Sequence, residues 1–321
     1  MRYSKHEAAK LRSSLSSRGL RGWFSPVEYS KWDVWIVLLA AFLSVSLTMA
    51  EVPGRDFSQY FPKKIVVFGI PVHATAASPD AKVIHAAGVL AQYLDNNGDG
   101  KPDDPHLVEM LVRHDGRLFM AVDRDELDGI FEQLENDHPG ILSKTAWWVD
   151  SDGITGSDWV WQNLQTEETQ PGGGVGGEFD GALEEVLHLV SHVGLANAYP
   201  DAFAESPGSS LAKAMDKMRG GQFLDVPDQY PDEALYTYYD ETCVYQCQAT
   251  EYLYWALTSM LGAQANPARL ARIEDEWRLN TAEKLRQGDP DIYSLLTDPD
   301  FRLPKVIPDG NYKGAPLEFE R

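Results

Sequence analysis

Cysteine is nearly absent from this chain: Cys243 and Cys247 are the only two in 321 residues, so disulfides do not hold the fold together. Basic residues are also scarce, 28 Lys and Arg against 49 Asp and Glu, for a formal net charge of −21. Such a field repels phosphate chains and anionic lipid surfaces, which argues against nucleic acid as a partner, and it attracts divalent cations. No nucleophile elbow, phosphate loop or dinucleotide fingerprint occurs. The glycine run GGGVGG at 172–177 follows polar residues where a phosphate-binding loop would need a strand. There is no internal repeat. Long apolar runs are limited to one, at 34–50.

That run (VWIVLLAAFLSVSLTMA) follows a stretch holding Arg2, Lys5, Lys10, Arg12, Arg18, Arg21 and Lys31. A positive flank followed by about 17 apolar residues reads as a signal peptide or a signal anchor: long for the first, slightly short for the second. Thr48-Met49-Ala50 supplies the small residues for cleavage after Ala50; if the segment is retained, the basic end stays cytoplasmic. Both outcomes export residues 51–321, so the expected location is secreted, periplasmic or extracellular, with membrane contact only through an uncleaved anchor. Without the leader, the body carries 21 basic against 46 acidic residues.

Within the body, 64–75 reads as a strand, 79–94 as a helix with apolar residues at helical spacing, 105–114 as a second helix, 117–122 as a strand, 125–135 as a helix and 142–149 as a strand. Residues 152–177 are polar and loop-like, closing in the glycine run as a mobile connector. Helices are expected at 183–199, 209–219, 243–261 and 267–287. The expected fold class is therefore α+β, with a mixed sheet and helices in 51–171, a mainly helical part in 178–303 and an irregular tail at 304–321.

Asp95, Asn97, Asp99, Gly100 and Asp103 stand as D-x-N-x-D-G-x-x-D between two helical patterns. Oxygen ligands at the first, third, fifth and ninth positions, with glycine at the sixth for the turn, suit a hard cation. The loop resembles EF-hand and related extracellular calcium loops. That resemblance implies Asp95, Asn97, Asp99 and Asp103 as side-chain ligands and Lys101 as a carbonyl ligand. His106 stands where a bidentate Glu belongs, with Asp104 or Glu109 as substitutes. The plainer reading is an Asn/Asp/Gly-rich turn that ends a helix.

The segment ALEEVLHLVSHVG carries Glu184, Glu185, His188 and His192 inside an arc of about 100° on a helix whose remaining surface is apolar. Such groups are rarely buried without partners; a metal ion would serve all four, or they pair with Lys, Arg or one another. Histidines at i and i+4 can reach one ion. Glu184-Glu185-Val186-Leu187-His188 resembles the H-E-x-x-H helix of zincin metallopeptidases, with Glu184 where the first ligand His belongs. The resemblance implies His188 as a zinc ligand, Glu185 as the general base that takes a proton from water, and, in the gluzincin manner, Glu251 on a later helix as a further ligand. A carboxylate in place of the first histidine makes the site more anionic and less selective for zinc over other divalent transition metals. An alternative takes His188 and His192 as ligands and leaves Glu184 or Glu185 as base.

Cys243 and Cys247, four apart and so outside the C-x-x-C redox spacing, read as a structural disulfide that fixes the start of the Glu251 helix, with thiolate ligation as the alternative. Tyr236, Tyr238 and Tyr239 precede them, and one of these could donate to a developing oxyanion. Together these readings describe an exported metal-dependent hydrolase, zincin-like, acting on peptides or proteins, with structural calcium. The alternative is a non-catalytic secreted or surface calcium-binding protein on a degenerate metallopeptidase fold.

Overall fold

In the computed structural model of the chain, described for residues 56–142, 145–146 and 159–320, an amphipathic helix and a mixed sheet meet early in the sequence. Residues 1–50, where a leader is expected, lie outside the described residues, and among those described no helix is long and apolar enough to cross a membrane. β1 (Lys63–Val67) and β2 (Ile70–Ala74) form an antiparallel hairpin. Phe68 and Gly69, both at positive φ (50° and 90°), make its turn, the backbone twist that suits a two-residue hairpin. The single strand expected at 64–75 is therefore two. Phenylalanine seldom adopts a left-handed backbone, so the sequence carries no turn signal there.

α1 (Asp80–Leu94) and α2 (Pro105–Arg113) lead to β3 (Gly116–Ala121), parallel to β2. α3 (Arg124–Asp137) starts on Asp123, whose side chain accepts from the Glu126 N–H, and leads to β4 (Thr145–Ala146) and β5 (Trp159–Gln165). The sheet runs β1-β2-β3-β5-β4, with β5 parallel to both β3 and β4. β5 corrects the expectation of a polar loop over 152–177. Gln162, Asn163 and Gln165 disguise a strand whose Trp159, Val160 and Leu164 are buried. Alternation sets the two faces: Leu118 and Met120 of β3 enter the main core, while Phe119 and Ala121 enter a smaller aromatic cluster with Phe57, Phe61, Phe131 and Trp159.

Helices then dominate: α4 (Gly173–Gly176), α5 (Gly181–Leu189), a π-helical turn (Val190–Leu195), α6 (Ala196–Ala198), α7 (Pro200–Phe203), α8 (Ser210–Arg219), α9 (Tyr245–Leu261), α10 (Pro267–Ile273), α11 (Ala282–Gly288) and α12 (Pro290–Thr297). The glycine run is not a loose connector. Gly173 and Gly174 are buried in α4, where a Cβ on the first would sit 2.6 Å from the Phe179 carbonyl and one on the second would run into Leu183. The helix expected at 267–287 is broken between α10 and α11, where Trp277 bridges to Tyr236. The architecture is α+β. Residues on both sides of the expected 171/178 boundary share the main core, within a compact unit spanning Glu51–Arg321. The 304–320 tail has no regular element, yet it is laced to the body: the Glu320 N–H donates to the Lys64 carbonyl and the Tyr312 hydroxyl to Asp95.

Candidate metal centre

α5 is positioned by the residue that caps it, Asp180. The Asp180 carboxylate accepts from the Ala182 N–H at 3.2 Å and the Gln170 N–H at 2.9 Å, and it meets His85 Nε2 at 2.7 Å. This N-cap fixes the rotation of a helix that packs on β5, α1 and α9. Val186, Leu187 and Leu189 turn into the core, which leaves the Glu/His stripe facing α9 and a cavity of about 330 Å³. Its walls include Glu185, His188, His192, Gln162 from β5 and Thr250 and Glu251 from α9.

Among the described residues, one set of three or more His, Cys, Asp or Glu side chains brings its ligand atoms mutually within 4.8 Å: Glu184, His188 and Glu251. His188 is 7% exposed. Its Nε2 lies 3.5 Å from Glu251 Oε2, outside hydrogen-bond geometry and without a hydrogen-bond partner, and its Nδ1 lies 3.4 Å from Glu185 Oε2. Glu185 also accepts from Gln162 Nε2. No Lys or Arg pairs with Glu184, Glu185, Glu205 or Glu251 among the described residues; the ion-pair partners of Glu185, Glu205 and Glu251 are the two histidines. Burial and the Glu251 charge push the Glu184 carboxyl well above the usual carboxylate range. Burial alone would lower the His188 imidazole, but Glu251 and Glu185 outweigh it and hold it well above its usual value. Concentrated negative charge around a buried imidazole is the electrostatic complement of a cation.

His192 falls outside the 4.8 Å set, although it lines the same cavity. Its Nδ1 meets Glu205 Oε2 at 2.5 Å, and its Nε2 is buried without a hydrogen-bond partner. Glu205, Gln162 and Thr250 are the site residues that sequence reading misses.

Cys243 and Cys247 form a disulfide, with Cα atoms 5.2 Å apart, that spans the residue before the Val244 cap and the first turn of α9. Both sulfur-bearing residues line the cavity, so the disulfide also holds the wall that carries Glu251. Of the three tyrosines, Tyr236 is fully buried and donates to the Gln248 carbonyl, Tyr239 is exposed and packs on Tyr230, and Tyr238 lines the cavity. Burial, followed by the charges of Glu251, Glu276 and Glu184, pushes the Tyr238 phenol up.

The 95–103 loop closes on itself. Asp95, fully buried, accepts from the N–H groups of Gly98, Asp99 and Gly100 and from the Tyr312 hydroxyl. Asp103 accepts from the Asn96 N–H and from Asn97 Nδ2, and Asp99 accepts from the Lys101 N–H. Asp104 caps α2 and accepts from the Tyr199 hydroxyl, while Glu109 pairs with Arg113. Neither twelfth-position substitute is turned to the loop. Compared with protein-family models, curated proteins and solved structures, the chain matches none of them.

Proposed function

We propose that this protein is an exported, zincin-like, metal-dependent hydrolase acting on peptides or proteins. The observation that carries the reading is the meeting of Glu251 with His188 across α5 and α9: a buried imidazole nitrogen with no hydrogen-bond partner, 3.5 Å from a carboxylate oxygen on the wall of a cavity. The donor set Glu184, His188, His192 and Glu251, two imidazoles and two carboxylates, suits zinc or another divalent transition metal. A bound metal supplies Lewis acidity, lowering the pKa of water and polarising a carbonyl. Glu185, on the cavity wall, takes the proton from water, and Gln162 and His188 orient its carboxylate. Tyr238 donates to the developing oxyanion. In this reading the 95–103 loop carries calcium as a structural ion, supported by its oxygen spacing. Export is supported by the leader pattern and by the Cys243–Cys247 disulfide, a bond that persists in oxidising compartments.

The test is metal analysis of the purified protein after exposure to zinc, manganese or iron, followed by peptide-hydrolysis assays of wild type and Glu185→Gln. Stoichiometric metal in both proteins is expected, with turnover lost and melting temperature kept in the variant. No metal uptake from any of the three, or a variant that is destabilised with no wild-type activity to lose, would leave the non-catalytic surface protein as the better account.

A further inference from the structure

Glu205 stands behind the cavity wall, 5% exposed, just past the end of α7. Its two carboxylate oxygens are both committed. Oε2 lies 2.5 Å from His192 Nδ1, and Oε1 accepts from the Thr250 hydroxyl at 2.6 Å. Thr250 adjoins Glu251, so one buried carboxylate ties the histidine of the π-turn to the α9 residue beside the metal-facing glutamate.

The chemistry of imidazole gives this contact a direction. A carboxylate at Nδ1 keeps the proton there, which leaves the Nε2 lone pair free to accept or to ligate. In His192 that Nε2 is buried, on a side chain that lines the cavity, with no hydrogen-bond partner. An acceptor left unsatisfied in a buried site is costly unless something binds it. His188 repeats the arrangement one turn earlier, with Glu185 at Nδ1 and a buried Nε2 without a hydrogen-bond partner. Glu184 is not among the residues that line the cavity.

We infer that Glu205 is a positioning residue that holds His192 Nε2 toward the cavity, so that a metal drawn to His188 and Glu251 takes His192 as a further ligand, closing in from outside the present 4.8 Å set. The π-turn is the backbone device that serves this. An inserted residue in a helix re-aims the side chains that follow it, and such turns recur at functional sites. The inference rests on the metal-centre reading above and selects among its ligands.

The experiment is a cobalt(II) titration of the full chain as wild type, Glu205→Gln and His192→Gln, read by visible absorption and by competition with a chelator, with melting curves to establish folding. Wild type is expected to bind one cobalt. Glu205→Gln, which keeps the volume and an acceptor for Thr250, should weaken binding by about 10–100-fold. His192→Gln should weaken it further and change the absorption intensity, a signature that loss of a merely structural contact would leave unmoved. Two-bond proton–nitrogen spectra of histidine-labelled wild type give a reading that needs no variant: His192 should be the Nδ1–H tautomer, with Nε2 shifting on addition of zinc. Cobalt bound by both variants with unchanged affinity and spectrum, or a His192 resonance unmoved by zinc, would overturn the inference and leave the metal on Glu184, His188 and Glu251. A wild type that takes up neither cobalt nor zinc would instead overturn the metal centre itself.

Discussion

The Tyr238 hydroxyl makes no hydrogen bond among the described residues, although its ring lines the cavity and packs against Tyr236. A phenol whose pKa burial raises stays protonated at neutral pH, and it is a donor waiting for an acceptor. Tyr238→Phe is therefore expected to lower kcat/KM for peptide hydrolysis by on the order of 100-fold while leaving metal content and melting temperature unchanged. Unchanged turnover would make the ring a packing group. Glu184, Glu185, His188 and Glu251 are legible in the sequence because each is a polar group on an otherwise apolar helix, a local anomaly. Glu205 and Gln162 are not, because their partners His192 and Glu185 lie 13 and 23 residues away. Choosing Tyr238 from three neighbouring tyrosines likewise needed the cavity wall itself.

α5 and the π-turn form one continuous helical rod from Gly181 to Leu195 with a change of pitch in the middle, and the change is bound up with packing on α2. Gly194 lies where a Cβ would meet Leu107 Cδ1 at 2.5 Å and Leu111 Cγ at 3.3 Å. Gly194→Ala is expected to destabilise the protein by about 1–3 kcal/mol through overpacking, outweighing the gain in helix propensity. Urea unfolding monitored by circular dichroism checks this, and a stabilised variant would show that the α2 contact yields freely. The helices with regular apolar spacing, α1, α2, α3, α8 and α9, are readable from periodicity, and their ends from caps such as Ser209, which accepts from the Ala212 N–H. The failures at β5 and at 267–287 share one cause, that a long-range partner overrides local pattern. Polar residues of β5 are satisfied by neighbouring elements, as Gln162 is by Glu185, and the 267–287 helix is broken where Trp277 pairs with Tyr236.

Across the whole molecule the charge is strongly negative, −21 by formal count, yet one buried group that makes the fold acid-sensitive is a histidine. His73 is stacked on Phe119 at 5.1 Å between ring centroids and flanked by Phe57, in the aromatic cluster under the sheet. Burial first, then the Arg117 guanidinium and Lys64, lower its pKa from 6.5 to about 3, with Asp56 opposing. Below the unfolded value the unfolded chain binds a proton that the folded chain refuses, so this contribution is fully present above about pH 6.5 and is lost as pH falls toward 3. His188 runs the other way: raised above its usual value, it contributes stability that is lost as pH rises. The two are separated by substitution. His73→Phe keeps the aromatic stack and removes the proton site, so between pH 6 and 4 its stability should fall less steeply than that of wild type, by up to about 1.4 kcal/mol per pH unit. Urea midpoints measured across that range decide it. Parallel curves would mean that His73 takes up its proton in the folded protein as readily as in the unfolded one, and the cluster around it would then have to open to water at mild acid.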